Sequence, residues 1–349
     1  MLHDAAHVQL LRVEQVLSPE PRVHYINHVF EVPSNATRVT LRLSFHKERL
    51  AQLFLSLHGP EGFRGNRMNP GAKGDIILEL WVEAGAASPG GVPGAITQGE
   101  WRAQIDIERL EETTTYQLEA YADSAPPVQL AAPPPPFPDD HVARPEAGWY
   151  KGELHAHSIE SDGRYPVETV VQAAIETGLT FFALTDHFTI SQWQKLAPLA
   201  AGPMILLRSC EITSHQGHAN LHGLSDWVDV YVDRPDWSMN QAADAAHAQG
   251  ALFCVNHPFS GDLGWRDHNF DWSKADLIEV YHNLEGPNNN YQLTFWDHLL
   301  RQGYHVVGVA GIDSHDPFMG LHRLGQLVTW VYADELSRQG ILNGLRRGS

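Results

Sequence analysis

The second half of the chain repeats one pattern, in which a helical segment ends in glycine and an apolar strand follows. The pattern occurs at residues 166–187 (PVETVVQAAIETG, then LTFFALTDH), 238–258 (SMNQAADAAHAQG, then ALFCVNHP) and 289–315 (NNYQLTFWDHLLRQG, then YHVVGVAGIDSH). Helices that end in glycine before fully apolar strands are typical of βα units around a parallel sheet. Residues 149–349 therefore predict an α/β fold, and about seven such strands favour a small or incomplete (β/α) barrel.

Residues 1–125 follow a different pattern, in which apolar and polar residues alternate in short runs. Five runs are interpreted as strands, at residues 38–45, 50–59, 74–85, 100–110 and 114–123. Glycine, proline and asparagine clusters separate them, which favours an all-β sandwich, jelly-roll-like domain. A proline-rich segment at 126–148 is interpreted as a stiff linker between the two domains.

Two histidine pairs in the first domain, His3/His7 and His24/His28, have a spacing that could hold a metal on a helix. With no third ligand near either pair, they are interpreted as ordinary histidines. The formal net charge of −18 argues against a nucleic-acid partner, because the chain offers no basic patch to the phosphate backbone. Cys210 and Cys254 are too few for a disulfide framework.

Several classes of protein are excluded or disfavoured by missing signals. No GxGxxG motif follows a strand, and neither a GxxxxGK[ST] nor a GxSxG motif occurs. No apolar run approaches the roughly 18 residues of a membrane span, so no membrane partner is expected. The first residues, MLHDAAHVQL, lack the basic and apolar regions of a signal peptide, which predicts a cytoplasmic protein.

Each apparent strand of the second domain carries a residue type that ligates metals. These residues are His155, His157, Asp186, His187, Glu211, His218, His222, His257, Asp313 and His315. The carboxyl ends of the strands in a parallel barrel lie at one face, and the loop after His157 adds Asp162 there. Such a group without a cation would leave buried charge uncompensated. Imidazole and carboxylate ligands without thiolate, in this number, predict two to three divalent ions (Mn, Fe or Zn).

The motifs LHAHSIESDG, LTDH, CEIT…GHAN, NHP and GIDSH, in this order, resemble those of the PHP (polymerase and histidinol phosphatase) superfamily of metallohydrolases. GHAN after the glutamate, and LIEVYHNLEG before WDHLLRQG, are similar to the carbaryl-hydrolase-like branch. The resemblance covers roughly residues 148–345. It implies a distorted (β/α)7 barrel of the PHP type with up to three metals in a cleft at the strand ends.

The resemblance also implies a distribution of the ligands. His155, His157 and Asp313 would hold one ion. Glu211 would bridge it to a second ion, which His257 and a histidine after Glu211 would also hold. The pattern GHxN favours His218 for that position, although His222 faces the same way on a strand.

A third ion would take Asp162, His187 and His315. Asp186 is interpreted as an acceptor that orients His187 or its neighbour.

The predicted activity is metal-dependent hydrolysis of a small-molecule phosphoester by a metal-bridged hydroxide. A carboxylic or carbamic ester hydrolase with the same site is the alternative, and a catalytically silent metal-binding module is a third possibility. We expect the catalytic residues to be Asp186, Glu211, His257 and His315. The leaving-group acid stays open among Asp186, Asp316 and any histidine that is not a ligand.

Cations near the strand-end loops are few, which keeps the neutral-ester alternative open. They are Arg164, Arg208, Arg266 and Arg323, each interpreted as a surface charge. Four aromatic residues, Trp265, Trp272, Tyr281 and Trp296, are interpreted mainly as core, and residues 256–270 could form a loop over the site. Relatives usually continue into further strands after the last helix, so the chain is expected to be either naturally short or truncated. In the second case late barrel contacts would be missing and stability would depend on a partner subunit, which makes a homo-oligomer one expectation.

Overall fold

The computed structural model describes residues 7–20, 23–68, 73–125, 135–230, 237–282 and 286–349. The chain forms two compact units. The first comprises Met1–Pro133 and Glu160–Asp162, and the second comprises Pro134–Ile159 and Gly163–Ser349. None of the described helices combines the length and the apolar character needed to cross a membrane.

The described residues of the first unit form two separate antiparallel sheets of four strands each. Its strands are β1 (His7–Leu17), β2 (Tyr25–Val32), β3 (Arg38–Lys47), β4 (Ala51–Gly59), β5 (Gly62–Met68), β6 (Gly74–Glu83), β7 (Gly99–Leu110) and β8 (Thr114–Asp123). The strand orders are β1-β8-β3-β6 and β2-β7-β4-β5. Alternation decides the burial: Val39, Leu41 and Leu43 of β3 are fully buried while Arg42 between them is exposed. Apolar side chains from both sheets join one hydrophobic core.

The five predicted strands correspond to β3, β4, β6, β7 and β8, whereas β1, β2 and β5 were not predicted. Strand β5 lies in one of the glycine-, proline- and asparagine-containing stretches that separate the predicted strands. Gly65 of β5 has φ +137°, and a Cβ there would lie 2.6 Å from the carbonyl oxygen of Gly90. The glycine therefore permits a close approach of two backbones inside a strand.

The described members of the two histidine pairs, His7, His24 and His28, do not lie on helices. His7 belongs to β1 and His28 belongs to β2, while His3 falls outside the described residues. The jelly-roll-like arrangement of the two sheets stays a prediction.

The second unit is built on one eight-stranded sheet. Its strands, in chain order, are β10 (Gly148–Glu153), β11 (Phe181–Leu184), β12 (Ile205–Ser214), β13 (Gly217–His222), β14 (Leu252–Val255), β15 (Leu277–His282), β16 (Val307–Gly311) and β17 (Thr329–Ala333). The spatial order is β16-β15-β14-β13-β12-β11-β10-β17. A two-stranded sheet of β9 (Val142–Arg144) and β18 (Leu336–Ser337) accompanies it, and β9 lies within the segment predicted as linker.

In the described part of the second unit, five α-helices accompany this sheet: α1 (Val167–Glu176), α2 (Gln192–Leu196), α3 (Met239–Ala248), α4 (Pro287–Arg301) and α5 (Arg338–Arg347). The predicted glycine ends of α1, α3 and α4 are confirmed, since Gly178, Gly250 and Gly303 have φ values of +74°, +74° and +89°. Cys210 and Cys254 are buried and free.

The sheet differs from the predicted set of parallel strands in the direction of two members. Strands β10, β11 and β12 are parallel, as are β14, β15 and β16, but β13 is antiparallel to both β12 and β14. Only two residues separate β12 from β13, which is too short for the crossover that parallel strands require. Strand β17 is antiparallel to β10. The backbone N–H of Ala310 in β16 donates to Oγ1 of Thr329 in β17 (3.0 Å), so the sheet nearly closes into a barrel.

Candidate metal centre

The ligand-type residues gather at one edge of the eight-stranded sheet. Strands β10, β11, β14 and β16 each end two residues before His155, Asp186, His257 and Asp313, respectively. Glu211 instead lies inside β12. The strand β13 runs antiparallel, so its first residues lie at the edge where the parallel strands end.

The direction of β13 separates its two histidines. Nδ1 of His218, near the start of the strand, lies 3.2 Å from Oε1 of Glu211. His222 pairs with Ser209 at the opposite end, and its Nδ1 lies 3.1 Å from Oγ of Ser209. Burial, together with the charge of His155, lowers the pKa of His222 to about 3. The geometry therefore favours His218 over His222 as a ligand.

Glu211 is the centre of the cluster and is fully buried. Its Oε2 lies 3.2 Å from Nε2 of His155, 3.4 Å from Nε2 of His157 and 3.0 Å from Nδ1 of His187. Its Oε1 lies 3.2 Å from Nδ1 of His218 and 3.7 Å from Nε2 of His257. The two oxygens thus face different histidines, which is the arrangement a bridging carboxylate needs.

Asn256 donates from Nδ2 to Oε1 of Glu211 (2.8 Å). This hydrogen bond fixes the orientation of the carboxylate.

Asp313 approaches the same histidines from the end of β16. Its Oδ1 lies 2.9 Å from Nε2 of His157 and 3.3 Å from Nε2 of His155. The ring of His157 stacks on His187 and on His315, with centroid distances of 4.3 and 4.4 Å.

Among the described residues of the second unit, four groups bring their ligand atoms within 4.8 Å of one another: His155/Glu211/His257, His155/His157/Asp313, His157/His187/His315 and His155/Glu279/His282. Asp162 belongs to the segment Glu160–Asp162, which groups with the first unit, and its role as a ligand stays a prediction.

The donor set fits divalent cations. Nδ1 of His155 donates to Oε1 of Glu279 (2.7 Å), so in the neutral ring the lone pair of Nε2 faces Glu211 and Asp313 at 3.2 and 3.3 Å. Lone pair and carboxylates repel one another unless a proton or a metal cation lies between them. Within the described residues, Nδ1 of the buried His257 has no hydrogen-bond partner. A centre of imidazoles and carboxylates, without thiolate, suits Mn²⁺, Fe²⁺ or Zn²⁺.

The charges of the cluster change the pKa values of its members. Burial favours the neutral form of Glu211, but the charges of His187 and His155 outweigh it and hold its pKa well below the usual value. Burial also disfavours a charged His155, yet Glu211, Glu279 and Asp313 outweigh it and raise its pKa well above the usual value. The carboxylates therefore create a strong preference for positive charge at this position.

Backbone strain is concentrated at the same residues. Among the described non-glycine residues, positive φ occurs at Phe188 (48°), His257 (26°) and Asp313 (53°). His257 and Asp313 are predicted ligands, and Phe188 directly follows His187. Such conformations cost on the order of 1–3 kcal/mol each and persist where the surroundings enforce them.

Asp186 contacts the backbone beside the cluster. Its Oδ1 accepts from the backbone N–H of Ser158 and its Oδ2 accepts from Oγ of Ser158, both at 2.8 Å. Ser158 directly follows His157. The carboxylate of Asp186 thus contacts the residue after His157, and its role in orienting His187 or its neighbour stays a prediction.

Sequence reasoning missed two residues of β15, Glu279 and His282. Glu279 is 1% exposed, and the ring of His282 lies 4.6 Å from that of His257. The available signal was a glutamate in the middle of the apolar strand LIEVYH, because an unpaired charge is not normally buried in such a strand.

The other residues that the sequence singled out lie in varied surroundings. Arg208 forms an ion pair with Asp139 (2.8 Å). Arg164, whose side chain is 72% exposed, lies 3.6 Å from Asp316. The rings of Trp265, Phe270 and Trp272 pack on one another with centroid distances of 5.0–5.9 Å, which agrees with a structural role for the two tryptophans.

Comparison with known proteins finds no matching family model. A stretch of 58 residues, 17% of this chain, is 40% identical to the DNA polymerase/3'-5' exonuclease PolX of Bacillus subtilis (strain 168) and covers 10% of that protein.

The solved structures that are similar in part include the following two. One is a two-domain protein from Bacteroides vulgatus that contains a predicted PHP-like metal-dependent phosphoesterase, with 24% identity, coverage of 60% of this chain and 66% of that one, and a TM-score of 0.46. The other is an amidohydrolase from Chromobacterium violaceum, with 18% identity, coverage of 48% and 88%, and a TM-score of 0.39. The chain thus spans just under two thirds of the Bacteroides protein and a tenth of the polymerase.

Proposed function

We propose that this chain is a metal-dependent hydrolase of the PHP superfamily whose substrate is a small-molecule phosphoester. The observation that carries the proposal is the fully buried carboxylate of Glu211, whose two oxygens face five histidines. This donor set needs a cation. The division of the five histidines between the two oxygens of Glu211 suits more than one ion.

The proposed ligands follow the groups that the structure brings together. His155, His157 and Asp313 would hold one ion, and His218 and His257 a second, with Glu211 between them. Asp162, His187 and His315 would hold a third, where Asp162 rests on the sequence motif alone. Bound divalent ions supply Lewis acidity, which lowers the pKa of water and neutralises negative charge on a substrate.

The residues of this chain would orient the ligands and admit the substrate. The deepest side chains, His155, His157 and Glu211, are fully buried, whereas the side chain of His315 is 37% exposed. The substrate therefore reaches the cluster from the side of His315.

Arg164 supports a phosphoester in particular. Its backbone N–H donates to the carbonyl oxygen of His315 (2.9 Å), and its guanidinium lies 3.6 Å from the carboxylate of Asp316, the residue that follows His315. An exposed guanidinium beside the entrance can bind the oxygens of a phosphate.

A second candidate function, hydrolysis of a carboxylic or carbamic ester, has one observation in its favour. Phe259 follows His257 by two residues, is 39% exposed, and lies 6.2 Å from the ring of Tyr291 and 5.6 Å from that of Phe295. Exposed aromatic rings near the cluster would suit an apolar ester.

The experiment is metal analysis of the purified protein by plasma mass spectrometry, together with hydrolysis of aryl phosphate mono- and diesters and an aryl acetate. We expect two to three equivalents of Mn, Fe or Zn, and hydrolysis of a phosphate ester that His257→Ala reduces at least 100-fold. The matched control is His247→Ala on α3, where the histidine pairs with Asp276 (2.8 Å).

Hydrolysis of the acetate alone would select the second candidate. Bound metal without any hydrolysis would indicate the silent module. Less than half an equivalent of metal, not restored by added ions, would contradict the proposal as a whole.

A further inference from the structure

Glu279 connects two predicted ligands that come from different strands. Its Oε1 accepts a hydrogen bond from Nδ1 of His155 (2.7 Å), and its Oε2 accepts one from the backbone N–H of His257 (2.8 Å). His155 follows β10 and His257 follows β14, while Glu279 itself lies in β15. One buried carboxylate therefore sets the positions of both.

The neighbouring strand leaves room for this carboxylate. A Cβ at Gly311 of β16 would lie 1.8 Å from Oε1 of Glu279 and 3.1 Å from Cβ of His155. Any residue larger than glycine at position 311 would displace the Glu279 carboxylate or the His155 ring. The close packing of Glu279 and His155 against position 311 thus explains why a glycine lies there.

The two hydrogen bonds have separate effects. Donation from Nδ1 of His155 turns Nε2 toward Glu211 and Asp313, and a carboxylate partner raises the basicity of the ligating nitrogen. The bond to the backbone of His257 holds this residue at φ +26°, a conformation that isolated residues avoid.

We propose that Glu279 is a positioning residue that orients His155 and His257 together and so couples the metal positions that these two histidines serve. The inference rests on the metal-binding part of the proposed function. It predicts that a substitution of Glu279 weakens metal binding at both positions.

The alternative is that Glu279 is itself a ligand, with His155 and His282, whose ligand atoms also lie within 4.8 Å of one another. The separation of Nδ1 and Oε1, 2.7 Å, is that of a direct hydrogen bond. Two ligand atoms about 2.0–2.1 Å from one ion lie about 2.9–3.4 Å apart in octahedral or tetrahedral geometry. The contact therefore favours an orienting role.

The test is calorimetric titration of metal-stripped wild type, Glu279→Gln and Asp267→Asn with Mn²⁺ or Zn²⁺, with thermal melting of each protein. An amide keeps one acceptor oxygen and turns an NH₂ toward the other donor, so we expect Glu279→Gln to bind 10–100-fold more weakly at both positions. Asp267 is also a buried carboxylate that accepts from a backbone N–H, that of Met239 (3.0 Å). Asp267→Asn should bind metal within threefold of the wild type.

Unchanged affinity in Glu279→Gln, or weakening at one position only, would overturn the coupling. Wild type that binds no ion would remove the proposed function, and the inference with it. If Glu279→Gln does not fold, anomalous diffraction from crystals of the metal-loaded wild type decides. We expect an ion on Nε2 of His155 and none within bonding distance of Glu279, and an ion on Nδ1 or on Glu279 would refute the inference.

Discussion

Asp186 and Ser158 form the contact for which the structure gives the sharpest quantitative prediction. Both side chains are fully buried, and Asp186 accepts from the backbone N–H and from Oγ of Ser158. Asp186→Ala removes both acceptors. Asp186→Asn keeps the oxygen for the N–H, and its amide can donate to Oγ instead.

The magnitude follows from these contacts. Hydrogen bonds to a charged acceptor contribute about 1.5–3 kcal/mol each, and a buried N–H left unpaired costs about 1–3 kcal/mol. Asp186→Ala should therefore lower the free energy of unfolding of the second unit by about 4 kcal/mol. For a unit of about 200 residues this is a decrease in Tm of roughly 8–16 °C. Asp186→Asn and Ser158→Ala should each cost about 1–2 kcal/mol.

Differential scanning calorimetry measures these changes, and hydrolysis of an aryl phosphate measures their effect on activity. An orienting role predicts that Asp186→Asn retains activity within about tenfold, whereas loss of a general acid costs about 100-fold or more. If Asp186→Ala lowers Tm by less than 3 °C, the structural argument is contradicted. A stable Asp186→Asn protein without activity would restore Asp186 as the candidate acid.

Three further predictions address the metal centre and the first unit. His218→Ala should lose about one equivalent of bound metal while His222→Ala keeps it, as measured by plasma mass spectrometry, and the reverse result would exchange their assignments. Saturating Mn²⁺ or Zn²⁺ at 1,000 times Kd should stabilise the second unit by about 4 kcal/mol for each ion bound, an increase in Tm that excess chelator abolishes. Burial, opposed by two hydrogen bonds, raises the pKa of Asp106 from 3.8 to about 7, so the neutral acid is the form that folding favours. The free energy of unfolding should therefore decrease by about 4 kcal/mol as pH rises from about 4 through 7. Denaturant unfolding of Asp106→Asn should lack this decrease. Equal pH dependence of the wild type and Asp106→Asn would refute the assignment.

Part of this architecture is accessible from local sequence because it depends on local chemistry. The glycine at position 178 follows α1 in the left-handed conformation, which a glycine after a helical run predicts without knowledge of any neighbour. The alternation in β3 likewise determines which of its side chains are buried.

The missed elements share a non-local cause. Strand β5 requires Gly65 because another backbone segment approaches it, and that segment is more than twenty residues away. The role of Glu279 depends on His155, 124 residues away in the chain, and on space left by Gly311. No local sequence pattern indicates contacts between residues that are so far apart in the chain.

The sequence by itself determined the order of ligand-type residues along the strands and the chemistry they share, because imidazole and carboxylate side chains after apolar runs can be identified one segment at a time. The tertiary structure decided how they combine. The reversal of β13 brings His218 to Glu211 and takes His222 to the other end of the strand, although both lie on the same face. The physical reason is that strand direction and strand pairing depend on the connections between segments. Direction and pairing together place the two carboxylate oxygens of Glu211 among five histidines.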